Sequence, residues 1–597
     1  MQKKNDILLI FPPVWITDVP FLSIPTLLAF LKKNNIYAEQ MDLNLEFWKY
    51  LYSYSFVREV FENLKKEFHK IEQQTHKTEQ NIVLLKKIAI FAQMSQKQFI
   101  HEVQEKIILQ SVYIELLAIF SDFRKDETDT DVSRYHDVLF GKISLSYYAT
   151  SVEKAKKIVY SEHNPYSFFF NHLIDDIVSR TNIIGISITA INQVIPAFTL
   201  AHLVKKKNLD CKIVIGGSWC SLLGKDLGDK LIDFPFIDYM IVNEGEIPLL
   251  KLINALKHKK EQSIKGVYCK INGHIIYTPN NESIALSHES VADFTGLDLN
   301  LYSEKHTLPI QSSRGCYWGK CIFCSYPVLE SKYKTKDVEL LTEDIKYLQK
   351  RYGTKIFNFT DSLISPSYAE KFSDLIIKNN IEIDWIIFAR FESKFTYELL
   401  SKMKKSGCKM IIWGLESANP RILDVINKNI DIQDVESILR NSSKLKIHNR
   451  VLVMFALPTE EYDEAHDTIK FLKKNKNYIQ SFFYNQYVPE KNTLVECFCK
   501  KNNIKLSEKL GDNLTFSYLW DGNIEKSLVD KIICEYNELD NYINNHLYIY
   551  SNNAFFFHDK KGELLQYDLE LNTTQIKIVS YIVEKANKRE RIFYEIT

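Results

Sequence analysis

The sequence predicts an α/β protein: a doubly wound parallel sheet, then a partial (β/α)6 TIM-like barrel, then a small α+β module. Three observations predict it. At 597 residues the chain is too long for one hydrophobic core, so several domains are expected. Short apolar runs alternate with helical stretches in two separate series. In the first series, glycines sit where those runs end.

The N-terminal run NDILLIF reads as a strand leading into the loop Pro12-Pro13. IPTLLAFLKK has helical spacing, and IYAEQMDLN reads as a second short strand. From about residue 45 to 165 the texture changes: no proline falls between Pro25 and Pro165, and Gly141 is the first glycine. Stretches such as NIVLLKKIAIFAQM read as amphipathic helices of an insertion. Its His76, His101 and His136 lack metal-ligand spacing and read as solvated.

Strands then return as IIGISIT, CKIVIGGS and DYMIVNEGE, with helices AFTLAHLVKKK and PLLKLINAL between and after them. This order argues a parallel sheet, whose ligands sit at the carboxyl ends of its strands. Ser187, Gly216, Gly217, Glu244 and Gly245 occupy those ends. Glycine there either lets backbone approach a ligand or makes a tight turn. Residues 266–287 read as a small hairpin. The second series, PIQSS, KIFNFTD, DWIIFAR, KMIIWGLES, NRVLVMFALP and FFYNQYVP, has the order of a barrel with fewer than eight strands. The expected domains are 1–285, 300–500 and 505–597. In the last, HLYIYSNNAFFF, the turn Lys560-Lys561-Gly562 and a helix capped by Asn572 read as strand, turn, strand, helix. Ile576, Val579 and Val583 share one face of that helix.

Composition narrows the function. A net charge of +1 gives no field to recruit nucleic acid or an anionic membrane. The start MQKKNDILLIFPPVW is too short an apolar run for a signal, and nothing reaches a membrane span of roughly 18–20 residues. A cytoplasmic setting follows as the expectation, and there disulfides are rare.

That matters for RGCYWGKCIFCSY, which places three of ten cysteines, Cys316, Cys321 and Cys324, on one loop. The other seven form no second C-x-x-C, so a four-cysteine zinc ribbon lacks its ligands. Small buried hydrophobes remain one reading. A 4Fe–4S cube held by three thiolates, with one iron open to a small molecule, is the other.

Loop, barrel and N-terminal sheet together resemble the cobalamin-binding radical SAM enzymes. The likeness covers roughly residues 5 to 500 outside the insertion. It departs at the loop, where C-x4-C-x2-C replaces the family's commonest C-x3-C-x2-C. The resemblance implies that Cys316, Cys321 and Cys324 hold the cube, whose open iron chelates S-adenosylmethionine (SAM), and that Phe323 flanks the adenine. Asp361 and Ser362 lie where the family contacts the SAM amino group. Arg390 would fork the carboxylate, Glu416 and Ser417 would bond the ribose, and Leu457 would pass the adenine. For each polar residue the other reading is a cap on the following helix.

The first sheet resembles the family's cobalamin domain. D-x-H-x-x-G is absent, so no histidine would sit on cobalt. The corrin tail would run beside Ser187, Gly216 and Gly217, with Glu244 and Gly245 near; a sheet without ligand is the alternative. The C-terminal module is similar to winged-helix modules that hold leader peptides, or it merely caps the barrel. The resemblance implies a methyltransferase acting on an unactivated carbon of a small molecule or peptide, fed by a donor such as flavodoxin or ferredoxin. A cobalamin-free epimerase or bond-forming maturase, and a non-catalytic iron–sulfur protein, are the competing readings. No residue is assigned an acid–base role.

Overall fold

The computed structural model describes residues 4–73, 95–96, 151–543, 550–551 and 554–555, apart from positions 16, 18, 52, 162–163, 260–262, 303–305, 330–331, 508–513, 516, 519, 521 and 523. The chain divides into two compact units: Met1–Asn44 with Tyr148–Leu539, and Leu45–Tyr147 with Asp540–Thr597. The boundary expected between 285 and 300 falls inside the first of these.

The first unit opens with β1 (Ile7–Phe11), β2 (Ala38–Asp42), β3 (Ile183–Ser187), β4 (Lys212–Gly216), β5 (Tyr239–Ile241), β6 (Val267–Ile271) and β7 (His274–Ile276). They form one sheet in the order β2-β1-β3-β4-β5-β6-β7. The first five are parallel. The expected hairpin is β6–β7, which extends the sheet antiparallel at its edge. Every residue of β1 and β3 is buried, as apolar runs covered on both faces require. The order reverses between β1 and β3, which opens a crevice at their carboxyl ends. Its rim is fixed by side chains: Gln193 Nε2 donates to the Pro12 carbonyl at 2.8 Å and Asn192 Nδ2 to that of Val14 at 2.9 Å.

Gly217, just past β4, has φ +104°, and a Cβ there would lie 2.3 Å from the Ile188 carbonyl oxygen. That contact is with the chain's own backbone, so the fold itself demands glycine. At Gly216 the nearest heavy atom to an added Cβ is 3.5 Å away, ordinary contact. Gly217→Val should therefore lower the melting temperature by several degrees, with strain of about 1–3 kcal/mol before the clash is counted. Gly216→Val should melt close to wild type. Equal melting of the two by calorimetry would contradict this account.

The second sheet follows. It begins with β8 (Leu308–Ile310), followed by a two-stranded ribbon of β9 (Ser313–Arg314) and β10 (Lys334–Thr335). Then come β11 (Ile356–Phe359), β12 (Asp384–Arg390), β13 (Cys408–Glu416), β14 (His448–Phe455) and β15 (Ser481–Gln486). Six strands lie in sequence order, β8 at one edge and β15 at the other, all parallel. Caps start the intervening helices where strands end: Ser365 accepts from Tyr368 N, Thr396 from Leu399 N and Asn419 from Ile422 N. Aromatic side chains fill the layer between helices and sheet, with Phe372 edge-on to Trp385 at 5.4 Å and Phe391 stacked on Trp413 at 4.7 Å.

In the second unit, the helix Tyr54–Glu72 belongs to the expected insertion. β16 (Tyr550–Ser551) pairs antiparallel with β17 (Ala554–Phe555). His76, His101 and His136, the Lys560–Gly562 turn and the helix after Asn572 lie outside the described residues. Among the described residues no helix is long and apolar enough to cross a membrane.

Candidate active site

The cysteine loop leaves β9 at the carboxyl end of β8. Gly315 (φ +80°) and Gly319 (φ +60°) turn the chain, and Gly319 N donates to Cys316 Sγ at 3.4 Å. All ten cysteines are free thiols, and the loop's three are half-buried. Burial, with a smaller push from the Cys321 and Cys316 sulfurs, raises the Cys324 thiol to about 12. Burial also raises Cys321, against the pull of Lys428. The three sulfurs thus lie within one another's field. Among the described residues no three ligand side chains gather tightly enough for a single metal ion. A cube makes no such demand, because its three thiolates bind three different irons. The donor set fits it.

Arg390 and Lys428 are buried cations beside the loop. The Arg390 guanidinium lies 4.0 Å from the Trp318 ring centroid and donates through Nη2 to the Asn429 carbonyl at 2.5 Å. Its Nε is 3.6 Å from Glu392, and its Nη1 is buried without a partner. That orphaned N–H suits an anionic ligand group. Glu392 in turn accepts from the Tyr317 hydroxyl, whose pKa burial and this bond raise. Lys428 Nζ pairs with Glu416 Oε1 at 2.8 Å and lies 5.9 Å from the Phe323 centroid. Phe323 packs with Ile322, Leu457 and Tyr487 in one apolar cluster, so the β14 end and the loop share a wall.

Other predicted positions are already engaged. Asp361 was expected at the SAM amino group, but its carboxylate accepts from Ser312 N, Ser312 Oγ and Ser313 Oγ at 2.6–3.1 Å. It anchors the approach to the cysteine loop. Ser362 is half-buried beside it. Ser417 is fully buried, bonded to Thr468 at 3.3 Å and accepting from Asn419 N, a structural task in place of the ribose contact.

Leu457 is held by Glu460, which sequence reasoning passed over: Leu457 N donates to Glu460 Oε2 at 3.1 Å. Glu460 is fully buried, its Oε1 has no partner, and burial lifts its carboxyl to about 8. The group is therefore protonated at neutral pH. A raised carboxyl contributes stability fully present below about 4.5 and lost as pH rises through 8. Glu460→Gln should melt like wild type near pH 5 and above it at pH 9, by at most about 5 kcal/mol. Thermal melts at the two pH values check this; a constant gap would refute it.

At the first sheet, the Ser187 hydroxyl meets Ser23 Oγ at 2.9 Å. Glu244 Oε1 pairs with Lys334 at 2.5 Å, while its Oε2, 3.9 Å from Arg314, is buried without a hydrogen-bond partner. Gly217 answers to Ile188, as above. Gly216 and Gly245 have room for a Cβ, with nearest atoms at 3.5 and 3.8 Å, so the fold does not explain them. Asn192 Oδ1 and Trp219 Nε1 are buried without partners at the same strand ends. Unexplained glycines beside orphaned polar atoms fit a ligand crevice.

Residues 310–472 match the Radical SAM superfamily. This segment is a radical SAM domain. Curated relatives include an uncharacterized methyltransferase of Pyrococcus horikoshii, 28% identical over 49% of this chain and 64% of its own length. Another is the anaerobic magnesium-protoporphyrin IX monomethyl ester cyclase of Synechocystis, 25% identical over 40% of this chain and 48% of its own. The chain thus spans less than two thirds of the relatives' length. Among solved structures, the cobalamin-dependent SAM radical enzyme OxsB with aqua-cobalamin bound superposes on 98% of this chain and 72% of its own, with TM-score 0.60 and 14% identity. TsrM of Kitasatospora setae, a radical SAM methyltransferase with cobalamin and a [4Fe-4S] cluster bound, covers 98% of each chain, with TM-score 0.57 and 11% identity. The radical SAM domain and the doubly wound sheet of this protein share their fold with those two.

Proposed function

We propose that the protein is a cobalamin-dependent radical SAM methyltransferase acting on an unactivated carbon. One observation carries the reading: a three-thiol loop, a buried guanidinium with a free N–H and a buried Glu416–Lys428 pair converge beside strand ends of a radical SAM domain. Cys316, Cys321 and Cys324 hold a 4Fe–4S cluster. Arg390 receives the SAM carboxylate, Glu416 the ribose hydroxyls, and Phe323 and Leu457 wall the adenine. Ser187, Gly216, Gly245, Asn192 and Trp219 line the crevice for the corrin. Cluster and SAM together supply a 5′-deoxyadenosyl radical, and cobalamin supplies a transferable methyl group. The work divides as residues 1–285 for the corrin, 300–500 for cluster and SAM, and 505–597 for a substrate, which is a small molecule or a peptide. The setting is the reducing cytoplasm, where the thiols stay available, and the electron donor is of the flavodoxin or ferredoxin class.

Anaerobic reconstitution with iron, sulfide, hydroxocobalamin, SAM and dithionite tests this. The expected result is cluster absorbance, bound corrinoid and SAM turnover, with Gly216→Val losing the corrinoid and keeping the cluster. A wild-type protein that forms the cluster and cleaves SAM but takes up no corrinoid would turn the reading to cobalamin-free radical chemistry. A cluster without any SAM cleavage would leave a non-catalytic iron–sulfur protein.

A further inference from the structure

We propose that Lys428 is a positioning residue of this site, aiming Glu416 at the SAM ribose and setting a positive charge beside Cys321. The inference rests on the radical SAM reading above and extends it to a residue outside the expected motifs.

The turn that carries Lys428 is locked to the cysteine loop. Ile322 N donates to the Ile426 carbonyl at 3.1 Å, and Trp318 Nε1 donates to that of Asn427 at 2.9 Å. Asn427 Nδ2 returns a bond to the Lys320 carbonyl at 3.0 Å. Trp318 and Lys320 lie in the four-residue spacer between the first two cysteines, so this turn braces the longer spacer. Lys428 N bonds back to Leu423 O at 2.9 Å, which fixes the backbone from which the ammonium extends.

The side chain is 9% exposed. Burying an ammonium opposes its charge, yet Glu416 and the Cys321 sulfur outweigh that and raise its pKa. The pair is also built at a cost in local geometry. The ladder between β13 and β14 slips between Gly414 and Glu416, and Glu416 sits at φ +67°. A Cβ at Gly414 would lie 2.7 Å from Glu416 Oε1 and 2.9 Å from Lys428 Nζ. A bulge, a left-handed glutamate and a glycine gap all serve to bring this one carboxylate to this one ammonium.

The test is potentiometry of the reconstituted cluster, without SAM, in wild type, Lys428→Met and Glu416→Gln. Removing the cation should make reduction harder, by about tenfold in the one-electron equilibrium (59 mV). Removing the anion should make it easier, a shift of opposite sign, while iron content stays at the wild-type level in both. Each variant should also bind SAM about tenfold more weakly. Lys428→Arg should keep the wild-type potential and lose SAM affinity, because the bulkier fork does not fit the gap above Gly414. Shifts of the same sign, or no shift in either variant, would overturn the proposal and leave a structural ion pair. If Lys428→Met takes up no iron, the retained potential of Lys428→Arg and the raised one of Glu416→Gln decide it. A wild-type protein that holds no cluster would instead sink the radical SAM reading itself.

Discussion

Protein carrying Cys316→Ala, Cys321→Ala and Cys324→Ala should emerge from anaerobic reconstitution with less than about a tenth of the wild-type iron and sulfide, and without brown absorbance. The expected loss is near total because, among the described residues, no other ligand set stands by. Cys211, Cys220, Cys269 and Cys408 are buried, and burial raises the pKa of each. Cys499 belongs to the apolar cluster behind the loop, while Cys497 is exposed. Cys497→Ser with Cys499→Ser should therefore keep nearly the full complement of iron. Loading must also displace protons, since burial holds the Cys324 thiol up at about 12. Reconstitution should quicken from pH 7 to pH 8.5. A triple variant that still assembles a full cube would show that the loop is not its holder.

Much of this arrangement was legible because it is local. The six strands of the second sheet stand where their apolar runs stood, and the loop that its three cysteines single out is turned by Gly315 and Gly319. What escaped is non-local. Lys428 sits in INKNID, which in isolation reads as a solvated charge; only the slip at Gly414 brings Glu416 round to it. Asp361 and Ser417 looked like ligand contacts because polar residues at strand ends often are. Their partners, Ser312 and Ser313 in one case and Thr468 in the other, come from elements that no local pattern pairs with them. Gly217 was legible as special, but the neighbour that excludes a side chain there, Ile188, lies 29 positions earlier at the end of the adjacent strand.

Arg314, two residues before Cys316, likewise finds its partners only in the folded chain, and removing it should cost the most stability of any single charge in the site. Its Nη2 meets Glu246 at 2.8 Å and also pairs with Glu289, while Nη1 is 3.9 Å from Glu244. Nε donates to Gln311 at 3.0 Å. Glu246 is 4% exposed, and burial lifts Glu289 to about 7 against the pull of Arg314. Arg314→Met leaves these carboxylates facing one another with the central cation gone, a loss of about 3–5 kcal/mol for a broken buried pair. The pH dependence identifies the cause. With a folded-state pKa above its ordinary 4.5, Glu289 contributes stability that is complete below 4.5 and fades as pH rises through 7. Without Arg314 that carboxyl should rise further, so the deficit of Arg314→Met should be greatest at pH 8 and shrink toward pH 5. Adding Glu289→Gln should recover part of it at pH 8. Because Arg314 tethers the strand that enters the cysteine loop to Glu246, which opens the helix Glu246–Lys257 between β5 and β6, the variant should also load less cluster at pH 8 and regain it in the double variant. Thermal melts at pH 5 and pH 8, with iron counts at pH 8, read both effects. An Arg314→Met protein that melts with wild type at pH 8 would mean the three carboxylates find other partners and the guanidinium holds nothing together.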